Sequence, residues 1–266
     1  MPIGLHHAVI RFRFELAPVD EVQPWGVDRH LHWFALTEGW YCPEVGGIEL
    51  LRYTEQTIAG LSAEAPRTGP PWADYYVVRL WEDLLQALPH ILEPVPHDLV
   101  DFIAAGSSRR RDLGETELPD TASVDAAVAA YCDRLVDTGY LRFGPWLQWW
   151  RTTDPVDTVT LYWHFPTDPE GEIGFTAPLS GRTSVTTDEF VAAVQDLDRS
   201  LFEAMQERVD GIVATGPPTG ASVDLPGLYR EHADRRTRLS RALAREVRTD
   251  WDAVRSGASV LLPRSG

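Results

Sequence analysis

The first ordered signal in the chain is an alternation. Ile10, Phe12, Phe14 and Leu16 are apolar, with Arg11, Arg13 and Glu15 between them. That period of two marks a strand with one buried face, and Pro18 ends it. After the turn-like residues 23–26, the run 31–36 predicts a second strand, and 39–42 and 48–53 extend an antiparallel meander on either side of Gly46 and Gly47. A Pro/Gly-rich break over 66–71 leads to a short strand at 75–78. The pattern then turns helical: in 80–88 apolar residues recur three and four apart until Pro89, which is expected to stop the helix.

Residues 98–105 predict a further short helix, and 106–121 read as an exposed loop carrying Arg109, Arg110 and Arg111 beside four acids. Ser123 is placed to cap a helix over 124–136 that Gly139 ends. Three strand-like pieces follow, 146–151, 158–165 and 173–176, separated by Asp154-Pro155 and the turn 168–171, and they form a second antiparallel group. The longest helical pattern runs over 188–213, where Phe190, Val194, Leu197, Leu201, Met205 and Val209 keep helical spacing. Thr187 precedes it without the acid three residues on that a capping box needs. A charged helix over 224–247 and a short one over 249–255 close the pattern. The expected class is α+β, two antiparallel sheet regions packed with helices. Neither the break over 66–71 nor a second one over 216–220 is long or polar enough to separate two bodies, so residues 1–266 are expected to form a single compact domain, with subregions 9–133 and 134–255. A weak likeness between 38–54 and 138–152 admits a degenerate duplication or chance, since the spacings differ by two residues.

Composition narrows the function. The chain has 266 residues, and its forty acids against twenty-four arginines give a net charge of −16, with no lysine and no asparagine anywhere. The excess is heavier toward the start, where 21 acids face nine arginines before residue 134. Binding a phosphate backbone or an anionic bilayer requires cations to replace counterions, so no nucleic acid and no membrane partner is expected, and a basic protein partner suits the charge better. No apolar run reaches the length of a membrane span, and the first ten residues lack the pattern of a secretory signal, so a cytoplasmic location is expected. Cys42 and Cys132 are too few for a disulfide framework and read as reduced, structural thiols.

Chemical motifs are sparse. His30 and His32 have a spacing that can chelate a metal on a strand face, but no carboxylate at matching spacing completes a site, and packed or surface histidines are the plainer reading. Asp20-Glu21, Glu82-Asp83 and Asp188-Glu189 are sequence neighbours, whereas acid/base catalysis sets carboxylates opposite each other across a substrate; they read as surface charge. The segment 229–236 reads as a surface ion-pair network on a helix. No nucleophile elbow, phosphate loop or zinc-protease motif occurs. No catalytic, metal or cofactor residue is therefore assigned, and no cofactor is expected. The ten tryptophans are the most distinctive feature. In Trp149-Trp150 one ring must point to each sheet face, so one is core and the other is exposed or covered by another element.

The strings 10–16, 24–26, 31–41, 49–53, 137–145 and 249–254 together resemble an uncharacterised actinobacterial family, the domain of unknown function numbered 5984. The resemblance implies one architectural unit over nearly the whole chain and carries no activity. Its acidic, compact character is similar in type to that of immunity proteins encoded beside bacterial toxins. The leading expectation is a non-enzymatic binding protein that masks a basic protein partner, an immunity-type inhibitor of a bacterial toxin being one form of it. Its contact would combine the loop acids Asp112, Glu115, Glu117 and Asp120 with Trp40 or Trp150. The alternative is a small-molecule enzyme with a pocket between the sheet regions lined by His32, Trp149 and Arg151. A structural or scaffolding role is third.

Overall fold

The alternating start of the chain forms β1 (Ile10–Leu16), which pairs antiparallel along its whole length with β2 (Glu38–Val45). The computed structural model describes residues 9–64, 66–104 and 121–261. The other edge of β2 is shared by two short strands, β3 (Ile48–Glu49) at one end and β4 (Ala73–Tyr76) at the other. The second sheet is a meander of β5 (Leu135–Val136), β6 (Trp146–Thr152), β7 (Thr158–His164) and β8 (Ser180–Thr186), antiparallel throughout. The class is α+β, with two antiparallel sheets packed against helices.

The helices, in chain order, are α1 (Glu55–Glu64), α2 (Val77–Leu92), α3 (Ala122–Cys132), α4 (Thr187–Thr215), α5 (Leu225–Arg235), α6 (Arg238–Ala244) and α7 (Trp251–Leu261), with residues 100–104 also helical. α2 follows β4 without a connecting residue and packs against β2, β5 and β6, so it touches both sheets. α4 lies against β1, β7 and β8. One buried cluster therefore holds Phe12, Tyr41 and Leu51 from the first sheet region, Trp149, Leu161 and Val185 from the second, and the inner faces of α2 and α4. Segments 52–54 and 174–176 join the two regions directly: Thr54 N–H donates to Gly174 O and Thr176 N–H to Arg52 O, at 2.9 and 2.8 Å. A second, smaller cluster, with Val95, Ile103, Ala127 and Val254, covers the other face of the second sheet through Trp150. There α3 and α7 pack closely at Gly257, where a Cβ would fall 1.9 Å from Ser123 O.

Several expected elements are corrected. Residues 31–36 do not form a strand; they run into a 3-10 segment, Ala35–Thr37, and Leu31, Trp33 and Leu36 are buried all the same. Pro89 lies inside α2 rather than ending it. The helix expected over 124–136 stops at Cys132 and is capped by Thr121, whose Oγ1 accepts from Val124 N–H at 3.3 Å, not by Ser123. Residues 173–176 contribute a single bridge, Tyr53 to Phe175, and the fourth strand of the sheet is β8. The long helix begins one residue early, with Thr186 and Glu189 forming the capping box that Thr187 cannot. The charged helix expected over 224–247 is broken into α5 and α6. The two similar stretches also take different structures, since Gly39–Tyr41 lies within β2 and 139–141 lies in a turn.

Candidate functional site

The sequence-predicted site residues fall in separate places. Trp40 is only 9% exposed, with Gly69 lying over its indole so closely that a Cβ there would sit 2.3 Å from the ring. Trp150 is 2% exposed and anchors the smaller core cluster, while Trp149 packs against Phe12 and Phe190 in the larger one, so both rings are covered, each by a different element. Arg151 is taken up by a two-pronged pair with Asp157, at 2.7 and 2.6 Å, and by Leu92 O. His32 sits among the rings of Trp25, His30 and Phe34. His32, Trp149 and Arg151 are thus not brought together around a pocket. Asp112, Glu115, Glu117 and Asp120 lie outside the described residues.

What the fold does assemble at the surface starts from Trp25. Trp25 and His30 close a turn with reciprocal backbone hydrogen bonds of 2.9 and 2.8 Å, using positive φ at Gly26 and Arg29. The turn is fastened at its far side: Leu31 N–H donates to Ser222 O, Ser222 N–H to Arg29 O, and Arg29 Nε to Gly220 O at 2.7 Å. The Trp25 ring is 44% exposed yet held on three sides. Its Nε1 donates to Tyr76 Oη at 2.9 Å, and His32, Phe34 and Tyr76 meet it edge-on, with centroids 4.7, 5.8 and 5.5 Å away.

From Tyr76 the ring contacts continue to Tyr75 at 5.2 Å and from Tyr75 to Tyr140 at 4.5 Å, passing round the end of β4. Tyr75, Tyr76 and Tyr140 are half-buried, so the face is a continuous aromatic strip and not a core. Tyr140 is fixed from beneath by a hydrogen bond from Tyr41 Oη at 3.1 Å. Burial holds the hydroxyls of Tyr76, Tyr140 and Tyr41 above the usual tyrosine range. Burial pushes the His32 imidazole below its ordinary value against the pull of Glu231, and its Nδ1 accepts from Ala35 N–H, so the ring is neutral.

Charge around this strip is mostly negative. Asp28 lies in the turn, Glu38 is paired across the sheet with Tyr76 and receives Gln23 N–H, Glu231 acts on His32, and Asp83 and Asp137 act on Tyr140. The cations close by are committed: Arg29 to Gly220 O, Arg235 to Glu82 and Glu231, and Arg79 to Asp83 while lying over Tyr140 at 5.5 Å. Arg235 also stacks on Trp33, whose Nε1 donates to His232 Nδ1 at 3.0 Å, so His232 and Arg235 of the segment 229–236 are buried, while Tyr229, Arg230, Ala233, Asp234 and Arg236 stay exposed and the expected ion pairs run along the helix. Glu82-Asp83 is likewise not loose surface charge, because Asp83 is buried on α2.

His30 and His32 lie 6.2 Å apart, and among the described residues no group of three or more His, Cys, Asp or Glu side chains is placed to hold a metal ion. Neither Cys42 nor Cys132 is in a disulfide, and burial pushes the Cys42 thiol up to about 12. No described helix is long and apolar enough to cross a membrane. No curated protein and no solved structure matches the chain. A family model does match, over residues 11–257, and the chain belongs to that family, the family of unknown function DUF5984.

Proposed function

We propose that the protein is a non-enzymatic binding protein that masks a basic protein partner, with the aromatic strip from Trp25 to Tyr140 as its contact face; an immunity-type inhibitor of a toxin is one form such a protein takes. The observation that carries this reading is Trp25, a large ring left 44% exposed but immobilised by a hydrogen bond and three edge contacts. An aromatic ordered before binding loses little conformational freedom in the complex, which is why such rings serve as anchors. The carboxylates around it suit lysine and arginine side chains, whose cations also sit well on exposed ring faces. This places the anchor on Trp25 instead of Trp40 or Trp150, whose rings are covered.

The test is a photo-cross-linking residue at position 27, where Val27 projects beside Trp25 with 99% of its surface exposed. The expected product in the native host is one defined adduct with a basic protein, and Trp25→Ala should weaken binding of that protein at least about a hundredfold, mainly through faster dissociation. Replacing Asp28 and Glu231 by the amides should flatten the salt dependence of association. A partner that cross-links only from an opposite face, such as position 199 on α4, or one bound equally well by Trp25→Ala, would overturn the proposal.

A further inference from the structure

Beyond Tyr140 the surface falls into a cleft of about 550 Å³, whose Asp83 and Asp137 also border the strip. One wall is a single face of α2: Arg79, Asp83, Gln86 and His90 recur at the helical spacing that points them the same way. The opposite wall is Asp133 after α3 and Asp137 after β5, and Arg245, at the end of α6, closes one end. The depression continues along α2 as a second cleft of about 440 Å³ that shares Arg79, Asp83, Gln86 and Arg245 and adds Glu82, Arg238 and Arg241. Arg238 and Arg241 there are paired with Glu82 and Asp234, so Arg245 is the cation left over beside Asp133 and Asp137.

The charges of the first cleft are incompletely paired from within. Arg79 Nε donates to Asp83 at 3.1 Å, and His90 Nδ1 lies 3.5 Å from Asp133. Asp137 receives Gly139 N–H on one oxygen and keeps the other. Arg245 has no carboxylate partner among the described residues, although the chain carries forty acids, and the Gln86 amide has no hydrogen bond there either. Burial lowers the His90 pKa against the pull of Asp133. Three carboxylates face two guanidiniums, Arg79 and Arg245, one negative charge in excess.

We propose that this cleft is a binding site for a small basic amino acid, a zwitterion of net charge +1, with its carboxylate on Arg245 and its ammonium groups toward Asp133 and Asp137. The volume falls in the range of small-ligand sites and exceeds what one amino acid fills, so water shares it. A plain anion meets the excess of carboxylates, and a plain diamine leaves Arg245 unpaired. Only a ligand carrying both signs satisfies both ends.

The probe is L-lysine, compared with cadaverine, which lacks its carboxylate, and hexanoate, which lacks both amines. The readout is the His90 ring resonance of the full chain during titration. L-lysine is expected to shift it saturably, with each truncated analogue at least about tenfold weaker. Arg245→Gln should cost L-lysine about tenfold and leave cadaverine unchanged, while Asp137→Asn should weaken both. Both substituted side chains are exposed, so the fold is not at stake. Trp25→Ala should leave L-lysine binding intact, which separates this site from the protein-binding face. Absence of saturation by L-lysine, hexanoate or cadaverine binding as tightly as L-lysine, or an Arg245→Gln variant that binds as the parent would each overturn the assignment.

Discussion

Arg134 is the most exacting charge in the molecule, because its side chain has no exposed surface at all. Its Nη2 donates to Glu93 Oε2 at 2.8 Å, its Nη1 donates to Ala130 O at 2.8 Å, its Nε has no partner, and the guanidinium lies 5.0 Å from the centre of the Trp251 ring. Desolvation pulls its pKa down and Glu93 opposes that. Glu93 in turn receives Thr249 N–H at 2.7 Å and Thr249 Oγ1–H at 2.5 Å, which ties the start of α7 to the end of α2. Glu93→Ala removes the carboxylate bonded to a buried cation and takes the acceptor from Thr249 N–H and Oγ1–H. Breaking a buried pair from one side costs about 3–5 kcal/mol, because the stranded charge stays desolvated. The stacking on Trp251 and the bond to Ala130 survive, which favours the lower half of that range. Urea unfolding followed by tryptophan fluorescence should show a loss of about 3 kcal/mol for Glu93→Ala. In an Arg134→Met background the same substitution should cost only about 1 kcal/mol, the worth of the Thr249 bonds. A cost below about 1 kcal/mol for Glu93→Ala in the parent, or equal costs in both backgrounds, would show that the pair is not what makes the site sensitive.

Burial raises the Asp83 carboxyl to about 6, against the opposing pull of Arg79. A carboxyl whose folded pKa lies above its unfolded one makes the folded state the better proton binder, so its contribution favours folding at low pH and fades as pH rises through about 6. Asp83→Asn should therefore be more stable than the parent at pH 7.5, by roughly 1–3 kcal/mol, and the advantage should vanish near pH 4; urea midpoints at both pH values check this, and a constant difference would refute it. We also propose that residues 9–261 unfold as one body, since the first sheet is covered by α2 and α4, which come later in the chain. Fluorescence and far-UV circular dichroism should give coincident transitions, and two stable proteolytic fragments divided near residue 70 would contradict it.

Elements whose pattern is set by burial on one face were legible. β1, β6, β7 and α4 fall where their apolar spacing puts them, within a residue or two. β8 was not, because Ser180–Thr186 contains one apolar residue, Val185, and is held by backbone pairing to β7. The stretch 31–36 misleads for the opposite reason: its apolar positions do alternate in burial, but the backbone turns through a 3-10 segment. Pro89 is tolerated inside α2 because Leu88 and Ile91, on either side of it, are fully buried, which offsets the lost backbone bond. The site was less legible still, because ring contacts among Trp25, His32, Phe34, Tyr76 and Tyr140 join distant segments. Two local signals do point to it: a tryptophan in a turn, Pro24-Trp25-Gly26, where strand burial cannot account for it, and Asp83, three residues from Leu80 and four from Ala87, an acid interrupting the apolar stripe of a helix.

Arg79 links the two proposed surfaces. Its guanidinium lies over Tyr140, the last ring of the strip, and its Nε is bonded to Asp83 on the wall of the cleft. It holds both positions with one rotamer, so a ligand that draws Asp83 or Arg79 toward itself must also alter the packing on Tyr140. Tyr140 in turn receives Tyr41 Oη–H from β2 and stacks on Tyr75 at 4.5 Å, next to the ring that hydrogen-bonds Trp25. A ligand can shift the strip only by the difference in its affinity for the two arrangements of Arg79, and reciprocity requires a partner on the strip to change ligand affinity by the same factor. Replacing Arg79 by methionine removes the shared group and keeps much of the side-chain packing. Each surface should then bind at an affinity indifferent to the other, and a coupling factor unchanged by that substitution would mean that the two sites communicate by some route other than Arg79.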